Sequence, residues 1–473
     1  MKPHLHFMGI GGVSMSGLAR HYRVRGFRVS GCDSAESPVV QQLRKEGIEV
    51  ALGHHPSHLE GVDLLVTTMA VPADSEESCA APAAGVETIR RIELLRRLFA
   101  DYQSIGVTGT HGKSTTTGMI AQLFIELRQD PSVQLGATLP MLGGNMRTGR
   151  GRHLIAEVDE SDPGFARLSS EIAVLINLED DHIAGEHDER RNYHASLEDL
   201  EAAARSFAVN ARKVIACADW PSLREVVRDL PAVVTYGLSE GADYRVTELA
   251  LTALGSSFTL RAPGGRSVKV TLTVPGVHNA QNAAAALATA DVAGLPLDDA
   301  ARALATFGGV GRRWQRWGDP EGALIIDDYA HHPTEVEATL KAARNTGRRV
   351  RAVLQPHRWV RTARHWPALA DAAALADEVI VLDVYAAGET RIPGVSVEQI
   401  VERIAAKGRP AAYHDQQSAI DYLRGSLDPD DLVITLGAGD VWKVAESLSR
   451  LSAPVVAPEI REVLRSEATS ADR

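Results

Sequence analysis

The residues best suited to chemistry lie in a turn near the middle of the chain, where glycines and hydroxyl residues surround a lysine. The segment TGTHGKST occupies residues 108–115, between an apolar strand-like run and a helix-like run. Glycines let consecutive backbone N–H groups face phosphate oxygens, and the N-terminus of a following helix adds partial positive charge. Lys113 would neutralise phosphates and the Ser114 hydroxyl would bind Mg²⁺. The strict P-loop pattern places glycine where Val107 stands, so a chance glycine turn remains an alternative.

Two further polar residues follow the next apolar runs and are candidates for binding a metal ion. Glu157 ends the run LIAE, and His182 ends the segment NLEDDH. Since the carboxyl ends of parallel strands border one crevice, both side chains can converge on a nucleotide bound at 108–115. Each taken alone is typical of a helix cap, a surface acid or a surface histidine.

Amide and guanidinium groups supply additional candidates for nucleotide contacts. Asn279 and Asn282 precede an alanine-rich helix expected from residue 282 to about 293, where they could cap the helix or contact adenine or phosphate. Arg313 follows a glycine-rich segment at 306–311 that is typical of a linker. A linker arginine can reach a γ-phosphate, although a solvated arginine is the commoner case.

Two polar segments in the last third of the chain favour an anionic small molecule. The segment DDYAHHP, residues 327–333, ends an apolar run and contains Tyr329 and His331. The segment PHRWVR ends another run and contains Arg358 and Arg361, whose guanidinium groups suit a carboxylate through paired hydrogen bonds.

A first glycine cluster lies near the N-terminus, at Gly9, Gly11 and Gly12. A dinucleotide fingerprint would place glycine at position 14, where this chain has Ser14, so the cluster favours a pyrophosphate and disfavours NAD. Asp33 follows the next apolar run at the distance where a ribose is often bound.

The elements that must position these residues form three successive alternations of strand and helix. Apolar runs that end in glycine or polar residues and are separated by helix-length segments predict parallel sheets covered by helices. The sequence therefore predicts an α/β protein with a Rossmann-like N-terminal domain (1–97), a central P-loop ATPase-like domain (98–307) and a Rossmann-like C-terminal domain (308–473). Residues 244–274 alternate as strands do, with a hairpin turn at Gly264 and Gly265.

Composition excludes several classes of protein. The chain has 473 residues, 50 Lys and Arg against 61 Asp and Glu, and a formal net charge of −11, which argues against nucleic acid as a partner. Within the basic stretch from Arg344 to Arg364, the arginines other than Arg358 and Arg361 are interpreted as solvated. No run of 18 apolar residues and no secretory signal are found, so we expect a cytoplasmic protein without a membrane partner. Its 3 cysteines show no CxxC spacing, which indicates neither a disulfide framework nor a structural zinc site.

The ordered set of motifs resembles the Mur ligase family from His6 to Val441. The motifs are HFMGIGGVSMSGLA, GVTGTHGKSTTT, AEVDESD, NLEDDH, GVHNAQNAAAA, GVGRRW, DDYAHHPTEVEATLKAAR, QPHRWVRT, DVYAAGE and LGAGDV. The resemblance implies three domains, for a UDP-sugar, ATP and an amino acid. It also implies an ATP-dependent joining of L-alanine to the lactyl carboxylate of UDP-N-acetylmuramate through an acyl phosphate, in peptidoglycan precursor synthesis, by a monomer or homodimer.

The same resemblance implies roles for individual residues. The residues around ATP would be Gly109, Thr110, His111, Gly112, Lys113, Ser114, Thr115, Asn279, Asn282 and Arg313. Ser114 and Glu157 would bind one Mg²⁺ and His182 a second, with Mn²⁺ able to substitute. The UDP-sugar would contact Gly11, Gly12 and Ser14, and the amino acid would contact Tyr329, His331, Arg358 and Arg361. Lys113, Arg313 and His331 would be catalytic, with His331 a candidate base.

Other functions stay open at the level of sequence. The nearest rival is a related ligase that attaches a recycled murein peptide to the same UDP-sugar. A P-loop kinase would have no need of the histidines and arginines of the last third, and Ser14 weakens an NAD-dependent oxidoreductase. A UDP-sugar-binding protein without catalysis is disfavoured by Lys113, Glu157 and His182.

Overall fold

The computed structural model describes most of the chain, in two compact units that we treat separately. The described residues are 2–68, 71–72, 74–181, 183, 194–252 and 255–450. The first unit comprises Met1–Gly311 and the second Arg312–Arg473. The second unit therefore begins directly after the glycine-rich segment expected to be a linker. Within the described residues, no helix combines the length and apolar character needed to cross a membrane.

The first unit begins with a parallel sheet of five strands in the order β3-β2-β1-β4-β5. Its strands are β1 (His4–Met8), β2 (Arg28–Asp33), β3 (Glu49–Leu52), β4 (Leu64–Thr67) and β5 (Glu87–Arg90). Its helices are α1 (Val13–Val24), α2 (Pro38–Lys45), α3 (Glu76–Ala80) and α4 (Arg91–Ala100). The order reverses between β1 and β4, and ligands of such sheets bind at the carboxyl ends of the strands at that point. The first glycine cluster follows β1 and lies there.

The second sheet of this unit has ten strands in the order β15-β14-β13-β12-β11-β10-β6-β9-β7-β8. Its strands are β6 (Gln103–Thr108), β7 (Ser132–Leu139), β8 (Gly144–Arg147), β9 (His153–Glu157), β10 (Ile172–Leu175), β11 (Lys213–Cys217), β12 (Val233–Gly237), β13 (Tyr244–Thr252), β14 (Gly255–Ala262) and β15 (Arg266–Leu272). Its helices are α5 (Lys113–Glu126), α6 (Leu197–Val209), α7 (Pro221–Val226), α8 (Val277–Val292) and α9 (Leu297–Leu304). Strand β6 lies between β10 and β9 and pairs with both in parallel. The strand that precedes the lysine turn is thus central.

Helix α5 is more deeply buried than its apolar face predicts. All residues from Ser114 to Phe124 are buried, polar ones included. The cause is α8, an alanine-rich helix that packs against α5 so that both lie within the hydrophobic core of the unit. Small alanine side chains allow the two helices to approach closely.

The expected hairpin is confirmed, since β14 and β15 are antiparallel and joined at Gly264 and Gly265.

The second unit contains a sheet of six strands in the order β16-β17-β21-β18-β19-β20, parallel except for β16. Its strands are β16 (Gln315–Gly318), β17 (Leu324–Asp328), β18 (Arg349–Leu354), β19 (Glu378–Val381), β20 (Ala411–Tyr413) and β21 (Asp431–Leu436). Its helices are α10 (Pro333–Arg344), α11 (Trp359–Ala373), α12 (Val397–Ala406), α13 (Gln416–Ser426) and α14 (Trp442–Ser449). The α/β class with mostly parallel sheets is confirmed.

Candidate active site

The lysine turn connects β6 to α5 through two glycines whose backbone other residues rarely adopt. Gly109 has φ +144° and Gly112 has φ +84°. A Cβ atom on Gly109 would lie 2.9 Å from the carbonyl oxygen of Asn177, and one on Gly112 would lie 2.9 Å from Oδ1 of Asn282. Glycine is therefore required at both positions for close approach as well as for conformation.

Asn177, which follows β10, holds this turn by both its backbone and its side chain. Its carbonyl oxygen accepts from the N–H of Thr110 at 3.0 Å, and its Oδ1 accepts from the N–H of His111 at 2.8 Å. Its amide nitrogen donates to the carbonyl of His111 at 3.1 Å. Asn177 is not among the residues to which the motifs assign a role, although its position in NLEDDH directly after a strand was a signal for one. Nearby, Nε2 of His111 lies 3.0 Å from Oε2 of Glu179.

Lys113 lies among oxygen atoms on the inner side of the turn. Its Nζ donates to the carbonyls of Gly109 and Thr110 at 2.7 and 3.1 Å, and it pairs with Oε2 of the buried Glu160 at 2.7 Å. Burial opposes the charged form, but the carboxylates around it, Glu160 first, leave the pKa of Lys113 above its usual value. The lysine is thus a cation whose ammonium group lies against the backbone of the turn. Glu160 was not identified from its motif, AEVDESD.

Ser114 and Glu157 come together at the start of α5. The Ser114 hydroxyl donates to Oε2 of Glu157 at 2.8 Å, and the N–H of Gly136 donates to the same oxygen at 2.7 Å. Strand pairing explains the approach, because Glu157 ends β9 opposite Val107 of β6. A hydroxyl and a carboxylate are the kind of oxygen ligands that Mg²⁺ prefers. His182, the other predicted metal ligand, lies outside the described residues.

Asn279 and Asn282 lie inside α8, so the interpretation that they cap an alanine-rich helix beginning at residue 282 is wrong. The helix begins at Val277 and its cap residue is Gly276. Asn279 donates to the carbonyl of Pro275 at 2.7 Å, and Oδ1 of Asn282 accepts from the Thr116 hydroxyl at 3.2 Å. This second contact places Asn282 beside the lysine turn. Thr115, the remaining residue expected around ATP, is buried on α5.

The first glycine cluster forms a turn at the carboxyl end of β1. Gly9 has φ +68°, and its N–H donates to the carbonyl of Cys32 at 2.8 Å. The N–H of Gly11 donates to Oδ2 of Asp33 at 2.8 Å. Gly12 is the cap residue of α1, and Ser14 is the second residue of that helix. The structure thus brings the four residues predicted to bind the UDP-sugar to one turn, with Asp33 closing it.

In the second unit, the two consecutive arginines after the linker have different surroundings. Arg312 pairs with Asp327 at 3.0 Å and donates to the carbonyls of Gly437 and Gly439 at 2.7 and 2.9 Å, which fixes it to the turn after β21. Arg313 pairs with Glu335 of α10 at 3.1 Å, and its guanidinium lies 5.1 Å from the ring centre of Tyr329.

The carboxylates around Arg313 determine its charge state. Burial opposes the charged guanidinium, but Glu335 and Asp328 outweigh it and leave its pKa raised. Burial also raises the pKa of Asp328 to about 6, with Arg313 and two backbone N–H groups acting against that shift. Arg313 is thus a fixed cation at the carboxyl end of β17.

Aromatic and basic residues surround the carboxyl ends of β17 and β18. Nδ1 of His331 lies 2.9 Å from the carbonyl oxygen of Tyr329, so this nitrogen is the donor. The ring of His331 is 5.6 Å from that of His357, whose Nδ1 lies 3.1 Å from Nη1 of Arg361. Arg358 is 7% exposed and pairs with Glu389. The four residues predicted to bind an amino acid therefore follow β17 and β18, the two strands that lie on either side of β21.

The solvated interpretation of the basic stretch is wrong for Arg351. This residue lies within β18, is 1% exposed, and pairs with Glu378 at 2.8 Å and with Asp431 at 3.1 Å. Both partners are on the flanking strands β19 and β21, so the pairing depends on the sheet and not on local sequence. A desolvated guanidinium requires such partners, since an unpaired buried charge is costly.

Known sequence families match nearly the whole chain. The Mur ligase family catalytic domain matches residues 4–103, the Mur ligase middle domain matches residues 107–290, and the Mur ligase glutamate ligase domain matches residues 312–439. The matches follow one another in the order of the three sheets.

Curated relatives match over similar lengths. A UDP-N-acetylmuramate–L-alanine ligase of Deinococcus radiodurans is 45% identical over 94% of this chain and 93% of the relative. A ligase of the same name from Gloeobacter violaceus is 40% identical over 96% of this chain and 97% of the relative.

Solved structures agree with the fold. A UDP-N-acetylmuramate–alanine ligase of Thermotoga maritima superposes with a TM-score of 0.79 at 28% identity, over 98% of this chain and 99% of that one. A murein peptide ligase of Psychrobacter arcticus has a TM-score of 0.66 at 22% identity over 96% and 100%, a likeness of fold alone. With three domains matched in order and relatives at 45% identity along almost its full length, the chain belongs to the Mur ligase family.

Proposed function

We propose that the chain is an ATP-dependent ligase that joins L-alanine to the lactyl carboxylate of UDP-N-acetylmuramate, releasing ADP and phosphate, in peptidoglycan precursor synthesis. The observation that carries the proposal is the 45% identity, over 94% of the chain, with a relative named for that reaction. The glycine turn after β1 would hold the UDP-sugar, the turn after β6 would hold ATP, and the strand ends of the second unit would hold L-alanine. We place the domain boundaries near residues 97 and 307.

The first chemical step is the attack of the lactyl carboxylate on the γ-phosphate of ATP, which gives an acyl phosphate and ADP. Both reactants are anionic, so the barrier is largely electrostatic and fixed positive charge lowers it. Lys113 supplies such a charge beside the turn, and the backbone N–H groups at the start of α5 supply partial charge. Arg313, held by Glu335, is the second cation, which we assign to the γ-phosphate.

The oxygen atoms of Ser114 and Glu157 fit Mg²⁺, since they already lie 2.8 Å apart at the start of α5. Bound there, Mg²⁺ would neutralise charge on the phosphate oxygens. We propose two ions, with His182 binding the second, and we expect Mn²⁺ to substitute because it accepts the same ligands.

The second step is the attack of the L-alanine amine on the acyl phosphate. The guanidinium groups of Arg358 and Arg361 suit the L-alanine carboxylate, and both are largely buried, which strengthens their interaction with an anion. The carbonyl of Tyr329 accepts from Nδ1 of His331, so Nε2 is the ring nitrogen that can take up the proton of the amine. His331 is therefore our candidate base. Water must be excluded during this step, because it competes with the amine for the acyl phosphate.

Phosphate release tests the proposal. With ATP, Mg²⁺ and UDP-N-acetylmuramate, we expect release that depends on L-alanine and gives one phosphate per amide formed. UDP-N-acetylglucosamine is the matched control, because it lacks the lactyl carboxylate that must attack ATP. Release with the murein tripeptide and none with L-alanine would assign the chain to the recycling ligases. Release that needs no amine would instead indicate an ATPase, and formation of ADP without release of phosphate would indicate a kinase.

We further propose that the enzyme acts in the cytoplasm, as a monomer or homodimer, with nucleotide and amino acid as its partners and neither nucleic acid nor membrane. The location follows from the substrates, since ATP and nucleotide sugars are cytoplasmic metabolites. Size-exclusion chromatography with light scattering measures the oligomeric state directly.

A further inference from the structure

A cluster of metal-ligand side chains lies in the first domain, away from the lysine turn. His6 is on β1, Cys32 is near the end of β2, His58 is in the turn Pro56–Leu59, and Glu77 is on α3. One ligand atom from each of these residues lies within 4.8 Å of the other three. The four positions are spread over 72 residues of sequence, so their meeting results from the fold.

The distances within the cluster suit a common central ion. Oε1 of Glu77 lies 2.9 Å from Nε2 of His6 and 3.4 Å from Nδ1 of His58, and Oε2 lies 3.2 Å from the Cys32 sulfur. Ligands of a tetrahedral zinc ion at bond lengths of about 2.0–2.3 Å are separated by roughly 3.3–3.8 Å. The three separations from Glu77 are therefore within a few tenths of an ångström of this range, and the remaining pairs of ligand atoms lie within 4.8 Å of one another.

The cluster is buried, and the contacts among its side chains leave some of its polar atoms without a hydrogen bond. Cys32 and Glu77 are 0% exposed and His6 is 2% exposed. Within the part of the chain that the structure describes, Nε2 of His6, Nδ1 of His58 and Oε1 of Glu77 are buried without a hydrogen bond of acceptable geometry. Buried polar groups are normally paired or bound to metal, because desolvation is otherwise uncompensated. Three such atoms, two of them within 3.4 Å of the third, are better explained by a shared ligand.

A chain of hydrogen bonds orients the His6 ring. Nδ1 of His4 lies 3.0 Å from the carbonyl oxygen of Gly61 and so donates to it. The Ser30 hydroxyl lies 2.8 Å from both Nε2 of His4 and Nδ1 of His6. One hydroxyl hydrogen serves one ring only, so with His4 singly protonated Ser30 donates to His4 and accepts from Nδ1 of His6. A singly protonated His6 then directs the lone pair of Nε2 toward Glu77, as metal-binding histidines do.

We propose that His6, Cys32, His58 and Glu77 bind one divalent transition-metal ion of the zinc type. Two imidazoles, a thiolate and a carboxylate match the donors of Zn²⁺, and four protein ligands make a closed, structural site. Binding forms the metal–sulfur bond and releases the thiol proton of Cys32 to solvent. Nδ1 of His54 lies 3.2 Å from the Cys32 sulfur and 3.3 Å from Oε2 of Glu77, where it supports both ligands.

The ion would stabilise the turn that we assign to the UDP-sugar. The carbonyl of Cys32 accepts from the N–H groups of Gly9 and Ile10, and its neighbour Asp33 accepts from Gly11. A metal bond to the Cys32 side chain therefore fixes the end of β2 on which that turn rests. Loss of the ion would loosen the turn without removing any residue that contacts substrate.

Cobalt spectroscopy of the full chain tests the site without any assay of activity. The purified protein is freed of metal with a chelator and titrated with Co²⁺. We expect saturation at one equivalent, with the near-ultraviolet absorption of a cobalt–thiolate bond and the visible bands of tetrahedral cobalt, both removed by added Zn²⁺. Mg²⁺ ligands such as Ser114 and Glu157 carry no sulfur, so they cannot produce the thiolate band. Absence of the thiolate band in the unaltered chain would overturn the proposal.

Variants identify the ligands. Cys32→Ser should abolish the thiolate band, and His58→Gln should weaken Co²⁺ binding by at least about 10-fold. The matched control is Cys79→Ser, whose exposed side chain lies outside the cluster and whose loss should leave the titration unchanged. Circular dichroism checks that each variant is folded. If Cys32→Ser does not fold, the Co²⁺ affinity of His58→Gln alone tests the site. A thiolate band that survives in folded Cys32→Ser, or unchanged affinity in His58→Gln, would refute the assignment.

Discussion

Two turns of the first unit occupy the same position between a strand and a helix, but they differ in charge and in the conformation of the capping glycine. Each follows a central parallel strand and ends at a glycine that caps a helix, Gly12 before α1 and Gly112 before α5. A serine is the second residue of each helix. The first residue is Lys113 in α5, whereas in α1 it is the 49% exposed Val13. The two turns therefore offer similar partial charge from a helix N-terminus, but only the second adds a full positive charge.

The carboxylates around the turns sharpen the contrast. At the first turn, Asp33 accepts directly from the backbone N–H of Gly11. At the second turn, Glu160 pairs with the side chain of Lys113, and the backbone N–H of His111 donates to the side chain of Asn177. A carboxylate on the backbone disfavours a triphosphate and suits ribose hydroxyls, whereas a lysine favours the triphosphate. We therefore expect Asp33 to favour a ribose at the first turn and Lys113 to favour a triphosphate at the second.

Removing the lysine should have the largest effect. Lys113→Ala is expected to lower kcat by at least about 100-fold, because a charge that stabilises the transition state is lost. Phosphate release at saturating substrates measures the effect, and Lys45→Ala on the exposed face of α2 is the control. Turnover within a few-fold of the unaltered enzyme would show that the two turns do not differ in the way we describe.

Adding a methyl group at each helix cap tests the backbone difference. Gly112→Ala should lower the free energy of unfolding by about 1–2 kcal/mol, because an L-residue at φ +84° is strained and its Cβ would meet Asn282. Gly12→Ala should change it by less than about 0.5 kcal/mol, since Gly12 has φ −63° and its Cβ would meet no atom closer than 3.4 Å. Urea unfolding followed by circular dichroism compares the two. Equal losses would contradict the difference in conformation.

Replacing the carboxylate of Asp33 at the first turn should have the smallest effect. Asp33→Asn keeps an acceptor for the Gly11 N–H but removes its charge, which costs about 1 kcal/mol. We expect the KM for the UDP-sugar to rise about 5-fold while the KM for ATP stays unchanged. Steady-state kinetics with each substrate varied in turn makes the measurement. A rise in the KM for ATP instead would contradict the assignment of Asp33 to the UDP-sugar.

Sequence patterns predicted much of the fold because the signals were local. Glycine turns, apolar runs and the hairpin at Gly264 and Gly265 depend on neighbouring residues, and the strands and helices follow them. The start of α8 was missed because its first two turns contain the asparagines Asn279 and Asn282, which favour caps when packing against α5 is unknown. Ion pairs were missed for a different reason. Arg351 meets Glu378 and Asp431 only across strands, 27 and 80 positions along the chain.

The sequence by itself determined the three α/β alternations, the lysine turn and the polar residues at the strand ends, because periodicity and glycine conformations are encoded over a few residues. Tertiary structure alone decided which distant groups meet. It placed Glu160 on Lys113 and Asn177 on the turn, and it gathered His6, Cys32, His58 and Glu77, whose spacing gave no sign of a metal site. The physical reason is that parallel strands bring together residues far apart in the chain, and burial then requires each polar group to find a partner.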